Sequence, residues 1–320
     1  MELFLILELI HGNTRENRMA NTFRLKSTTM FSRMDDDINE QPLRIVFLSV
    51  EGNKTERQYF DYVEKYRGKL GIKAAVHIHT LQRAKRDNLS APENVLELLE
   101  EYLVIRKNDG LPERLRSVIP QRYSEEFINC YLRSELNPQD DKVKEFESIL
   151  AEVGYDVVYN NYLKEFKGKN DVFGIVLDRD YKSHSVSQMK KIAEQCEKNH
   201  YKLFITTPLF EFWLLLHLID IDKLSEEELR NIKVNDGISE KHTYTSKMVS
   251  DIAGHSKSIS EKIFLQTYLS KIDYAISQSK KLNTAIDALI GEDKTEETKM
   301  GNIGTNLHEL FELLRTDKDL

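Results

Sequence analysis

Apolar positions along this chain fall into two spacings. Short unbroken runs rich in β-branched residues predict buried strands: RIVFLSV over Arg44–Val50, AAVHIHTL over 74–81, FGIVLD within 173–180 and YKLFITT ahead of Pro208. Between and after them, apolar residues recur at helical intervals. TERQYFDYVEKY brings Tyr59, Phe60, Val63 and Tyr66 near one face, with Thr55 or Asn53 as its cap. Ser90 and Glu93 have capping-box spacing ahead of ENVLELLEEYLVIRK. Helical patterns also cover much of 111–169, then Val186–Asn199, the apolar stretch LFEFWLLLHLI at 209–219, and nearly everything beyond 221 except the loop GEDKTEETKMGNIG. The repeated strand–helix order predicts an α/β fold with a mostly parallel sheet flanked by helices. Three regions are expected: a polar, aperiodic extension over 1–41, a catalytic-type domain over 42–220 with a helical insertion at about 111–169, and a helical region over 221–320.

Composition narrows this picture. Only 13 glycines and 6 prolines in 320 residues favour a helix-rich chain over one built from tight turns. Two cysteines, Cys130 and Cys196, exclude a disulfide scaffold and a cysteine-rich zinc site. No apolar run approaches the roughly 18 residues of a membrane span. The opening MELFLILELIHG lacks the basic start and cleavage site of a signal peptide, so a cytoplasmic protein is expected. The net charge of −7 opposes general nucleic-acid binding but not a nuclease, whose acidic site adds negative charge of its own. Charge is uneven: seven Lys or Arg and no acid lie between Lys65 and Arg86, and seven Lys against three acids between Lys241 and Lys281.

In a parallel sheet, sites form beyond the carboxyl ends of the strands. Two of the strands here end in acids: Glu51-Gly52 after the first, and Asp178-Arg179-Asp180 after the third. In extended backbone Asp178 and Asp180 share a side and could reach one ion. Carboxylate oxygens suit Mg²⁺ or Mn²⁺, one ion or two, and such a site activates water in phosphodiester cleavage. Gly52 lets the backbone turn sharply. Either acid cluster alone is an ordinary strand end; an apolar strand with Glu-Gly followed well downstream by one with Asp-x-Asp is the pattern of a TOPRIM domain.

Four blocks narrow the resemblance. Glu51-Gly52-x-x-Thr55-Glu56-x-x-Tyr59-Phe60, Asp178-Arg179-Asp180, the segment from Pro208 through Phe210, Glu211 and Trp213 to His217, and the late block Gly304 to Leu310 occur in the order of the RloB-like family, which the chain resembles. Its late Asn-Pro-Ser is replaced here by Asn302-Ile303-Gly304. The resemblance implies a TOPRIM-type nuclease acting as a toxic effector in bacterial anti-phage defence, on DNA or on RNA, tRNA included. It also implies an ABC-type ATPase partner encoded nearby; this chain has no Walker A motif, so any ATPase function would come from that partner. Glu51 would be a general acid/base or a metal ligand, and Glu56, Asp178 and Asp180 metal ligands. The alternative is a binding module with a degenerate site that partners the ATPase. An exposed apolar face on the C-terminal helices would serve a homodimer or that ATPase.

Other residues carry weaker signals. Glu211 lies in an otherwise apolar helix, where a carboxylate is costly unless paired or bound to a cation, so it joins the catalytic candidates. Lys182 could touch a scissile phosphate. Arg83, Lys85 and Arg86 could hold a nucleic-acid backbone, a contact that positions without reading sequence. Trp213 reads as core, His217 as an interior histidine, and Thr305, Asn306 and His308 as a helix start or a site-facing loop. His77 and His79 share a strand face without a third ligand, and Cys196 lies in an ordinary helix.

Overall fold

The computed structural model describes residues 43–316, apart from 53, 82–90, 108–110, 112, 134, 153–169 and 256–257. The expected extension over 1–41, Asn53, Ser90 and the basic run Arg83, Lys85 and Arg86 lie outside the described residues. The four expected strands form, as β1 (Arg44–Val50), β2 (Val76–Thr80), β3 (Val172–Asp178) and β4 (Lys202–Thr207). They pair in parallel in the order β2-β1-β3-β4, and a two-residue strand β5 (Gly304–Thr305) adds antiparallel to β4. The fold is therefore the α/β class that the alternation of strands and helices predicts.

Period-2 alternation divides the side chains of β1 between two layers. Val46, Leu48 and Val50 face a core shared with Tyr59, Phe60 and Val63 of helix α1 (Thr55–Lys65). Phe47 and Ser49 face the other way. Ser49 Oγ donates to Val95 O at 2.6 Å, within helix α2 (Pro92–Arg106), and Phe47 meets Tyr102 of the same helix at 5.0 Å between ring centroids. Both faces of the central strands are thus covered, which is why they read as continuous apolar runs rather than alternating ones.

The chain between α2 and β3 builds helices α3 (Glu113–Val118), α4 (Glu125–Leu132) and α5 (Asp141–Glu152). They carry their own apolar cluster, in which Leu115, Tyr131 and Leu150 surround Phe146. These helices lie within the stretch, 111–169, expected as a helical insertion. Helix α6 (Val186–Asn199) starts at a capping box between Ser185 and Gln188 and packs on β4 and α2. Helix α7 (Phe210–Leu216) follows the cis Thr207–Pro208 peptide and is apolar all round apart from Glu211. An all-round apolar helix must be enclosed. The enclosing elements are α9 (Tyr244–Ala253), which follows α8 (Glu226–Val234), and α10 (Ile272–Ser279). Short helices α11 (Ile286–Ile290) and α12 (Glu296–Lys299) lead to β5 and α13 (Leu307–Arg315). Residues on both sides of position 220 share one core: Trp213 stacks on Phe311 at 5.7 Å, and both are fully buried.

Both outer edges of the parallel sheet are closed by side chains, which suppresses pairing with another chain. At β2, Glu64 Oε2 accepts the Ile78 N–H at 2.7 Å, and its other oxygen meets His77 Nδ1 at 2.8 Å. At β4, Asn306 stands in for a strand: its Oδ1 accepts from Ile205 N at 2.7 Å and its Nδ2 donates to Leu203 O at 2.9 Å. Asn306 also sits where α13 starts, but its side chain serves the sheet and makes no cap. Thr305 bonds Thr206 across β4 and β5, and His308 Nδ1 lies 3.1 Å from Ser279 Oγ.

Asn306→Ala leaves the Ile205 N–H and the Leu203 carbonyl buried and unpaired, at about 1–3 kcal/mol for each group. Thermal unfolding of this variant is expected to show a clear fall in Tm, with at most partial recovery in Asn306→Asp, which can still accept from the Ile205 N–H but has no N–H for Leu203.

Candidate functional site

β1 and β3 run side by side with Val50 opposite Val176, so their carboxyl ends arrive together. The residue after each pairing does the joining. Glu51 N donates to Val176 O at 3.2 Å, and Glu51 Oε2 accepts the Asp178 N–H at 3.1 Å. Asp178 Oδ1 in turn accepts the Phe210 N–H at 2.8 Å, the first amide of α7. Glu211 is the next residue along that first turn. Glu56 sits in the first turn of α1 and folds back over Gly52. A methyl group at Gly52 would collide with the Glu56 carboxyl group as it stands, so a larger residue here would displace that side chain from the cluster.

Four carboxyl groups therefore converge from two strand ends and two helix starts, and they repel one another. Glu56 is buried (7% exposed) and its pKa is pushed up from 4.5 to about 8, first by loss of water and then by the charges of Glu211 and Glu51. Asp178 is raised well above the ordinary carboxylate range, by desolvation first and then by Glu51, Glu56 and Glu211. Glu51, Asp178 and Glu211 each keep partial exposure, so the cluster reaches solvent on one side. Hard carboxylate donors are the set that Mg²⁺ and Mn²⁺ take. As the side chains stand, no group of three or more His, Cys, Asp or Glu among the described residues is arranged to hold an ion. The match is thus one of donor chemistry and charge, not of a ready-made cage.

The structure brings together Glu51, Glu56, Asp178 and Glu211, and leaves two of the sequence candidates apart from them. β3 ends at Asp178, so the extended alternation that would align Asp178 with Asp180 stops there. Asp180 closes the next turn instead: Oδ1 accepts from Lys182 N at 3.1 Å and Oδ2 from Ser183 Oγ at 2.7 Å. Lys182 reaches to the α8–α9 loop, pairing with Asp236 at 2.7 Å and donating to Asn235 O at 3.3 Å. Arg179, between the two aspartates, is buried and holds three carbonyls, those of Ile290, His184 and Lys299, at 2.6–2.7 Å. Burial pushes its pKa down to about 10.

The histidines resolve by chemistry. His217 is buried and pushed down to about 3, so it is neutral. Its Nδ1 donates to Trp213 O at 2.9 Å, which leaves Nε2 to accept from Tyr59 O–H at 3.1 Å. It is an interior histidine, as its sequence context suggests. His79 is likewise buried and pushed down to about 4, edge-on to Phe47. Burial raises the Cys196 thiol to about 12.

One neighbour of the cluster was not read from the sequence. His184 is buried and its Nε2 lies 3.2 Å from Glu51 Oε1. The signal available was a histidine six residues after the strand-end acid Asp178. Only the turn built by Asp180 brings it back: His184 N donates to Asp180 O at 2.8 Å.

The raised pKa of Glu56 has a definite sign. Its contribution to stability is complete below about 4.5 and is lost as pH rises through about 8. Glu56→Gln stays neutral and escapes that loss. In metal-free buffer with chelator, the Tm of Glu56→Gln minus that of wild type is expected to grow from pH 5 to pH 9, each 1 kcal/mol giving roughly 2–4 °C. A difference that shrinks with pH would mean that Glu56 is not buried among like charges.

Compared with known proteins, the chain matches a family model described as RloB-like protein, over residues 46–314. No curated protein and no solved structure matches it. The matched span runs from β1 through α13 and contains all four converging carboxylates, and the chain belongs to the RloB-like family.

Proposed function

We propose that this protein is a divalent-cation-dependent nuclease of the TOPRIM type. The observation that carries the reading is the convergence of Glu51, Glu56, Asp178 and Glu211 at the carboxyl ends of adjacent parallel strands, where burial and mutual repulsion push Glu56 and Asp178 toward their neutral forms. Acids accumulated at such a cost in the place where α/β sheets carry their sites are candidates for function rather than for stability. Mg²⁺ or Mn²⁺ would supply the positive charge that neutralises a phosphodiester and acidifies a water.

The chain's own groups divide the remaining work. Glu51 is fixed from both of its oxygens, by the Asp178 N–H and by His184, and keeps free lone pairs for a cation or a proton. Asp178 is held by the Phe210 N–H through one oxygen. Glu56 and Glu211 approach from the first turns of α1 and α7 and complete the donor set. Asp180 and Lys182 act one step outward, shaping the turn that carries His184 and bordering the open side. β2 is parallel to β1 and ends at the same end of the sheet, and Arg83, Lys85 and Arg86 follow it in sequence. We assign these three to the nucleic-acid backbone. The family resemblance further supports a toxic effector in anti-phage defence, released or supported by an ABC-type ATPase.

Purified protein incubated with plasmid DNA and with total tRNA, under Mg²⁺, Mn²⁺ or chelator, tests this reading. Cation-dependent cutting of one substrate class is expected. Asp178→Ala and Glu51→Gln are expected to lower the rate by at least about 10²-fold, as removal of a charge-stabilising group at a reacting centre does, with Tm no lower than wild type. Unchanged cutting by both variants would remove the site. Absence of cutting even with the partner ATPase present would favour a binding module.

A further inference from the structure

We propose that His184 is a positioning residue for Glu51; the inference rests on the nuclease reading above and adds a residue to it. With Glu51 as a carboxylate, whose oxygens only accept, the 3.2 Å contact between His184 Nε2 and Glu51 Oε1 is a hydrogen bond donated by Nε2–H. Glu51 Oε2 already accepts the Asp178 N–H at 3.1 Å. The two donors approach different oxygens and fix the rotation of the carboxylate about its last bond. Of its roughly four lone-pair directions, two are consumed and two remain for a cation or a proton.

The imidazole is itself held by its backbone. His184 N donates to Asp180 O at 2.8 Å, and His184 O accepts from Arg179 Nη1 at 2.7 Å. The ring therefore sits on a frame that does not depend on the ring. Its side chain is 7% exposed, so water cannot readily take its place on Glu51. Donors of this kind, standing behind a ligand carboxylate, orient it and tune its affinity, and their removal costs about 10–100-fold in metal binding or activity.

The test compares His184→Gln with His184→Met. The two replacements are close in size and differ in the one property at issue, because the glutamine amide keeps an N–H where Nε2 stands. Free Mn²⁺ is followed by electron paramagnetic resonance as protein is added, without nucleic acid. Wild type, Glu51→Gln and both His184 variants are titrated, with thermal melts alongside. His184→Met is expected to bind Mn²⁺ about 10–100-fold more weakly than wild type. His184→Gln should recover most of that loss at a similar Tm, and the KM for nucleic acid should be unchanged in both. Equal Mn²⁺ affinity in wild type and His184→Met, or equal losses in Met and Gln, would overturn the role of His184 while leaving the site intact. Mn²⁺ binding indifferent to Glu51→Gln would overturn the site reading itself, and this inference with it.

Discussion

Everything at the candidate site depends on one backbone amide. The Asp178 N–H, at the last position of β3, donates to a carboxylate from the neighbouring strand rather than to a carbonyl. That bond converts the parallel register of β1 and β3 into a fixed separation between two acids. The rest follows from that placement. Burial first, and the neighbouring like charges second, push Glu56 and Asp178 toward their neutral forms. A fold that selected only for stability would have no use for this arrangement. The apolar helix α7 beside it shows how the tension is tolerated: its first amide faces Asp178, and its remaining residues bury themselves against α9 and α10.

The same economy of amides shapes the edges of the sheet. Glu64 at one edge and Asn306 at the other satisfy N–H groups that would otherwise template further pairing. Each comes from an element distant in sequence or on a different layer, so the sheet is bounded by tertiary structure and not by the composition of its edge strands. Asn306 also links the late part of the chain to β4, as does the packing of Phe311 on Trp213. The helical region after position 220 is consequently part of the structure that holds the strand ends in place.

Strands and helices were legible because their signals are local: unbroken β-branched runs for β1, β3 and β4, and helical periodicity for α1 and α6. Glu51 and Asp178 were legible because strand ends in a parallel sheet are privileged positions. Asp180 shows where local reasoning runs out. Its alignment with Asp178 assumes that extended backbone continues past the strand, whereas a turn closed by its own carboxylate begins there. Glu211 could be suspected from the cost of a charge in an apolar helix, but its partners could not, since Glu56 lies 155 positions earlier in the chain. His184 carried no sequence signal beyond its spacing, because its place is decided by Arg179 and Asp180 together.

Arg179 links these observations. A guanidinium with no water around it is tolerable only while its hydrogen bonds are complete, and here two of its three acceptors, Ile290 O and Lys299 O, belong to the last tenth of the chain. The residue that separates the two aspartates is thus wired to the C-terminal loop. Cutting the chain anywhere between position 220 and that loop would strand a buried cation at the tip of β3 and release the backbone that carries His184. The acidic cluster is therefore tied to chain far beyond it: the strand-bearing part and the late helical part, distinct in secondary structure, share the bonds that keep Arg179 satisfied.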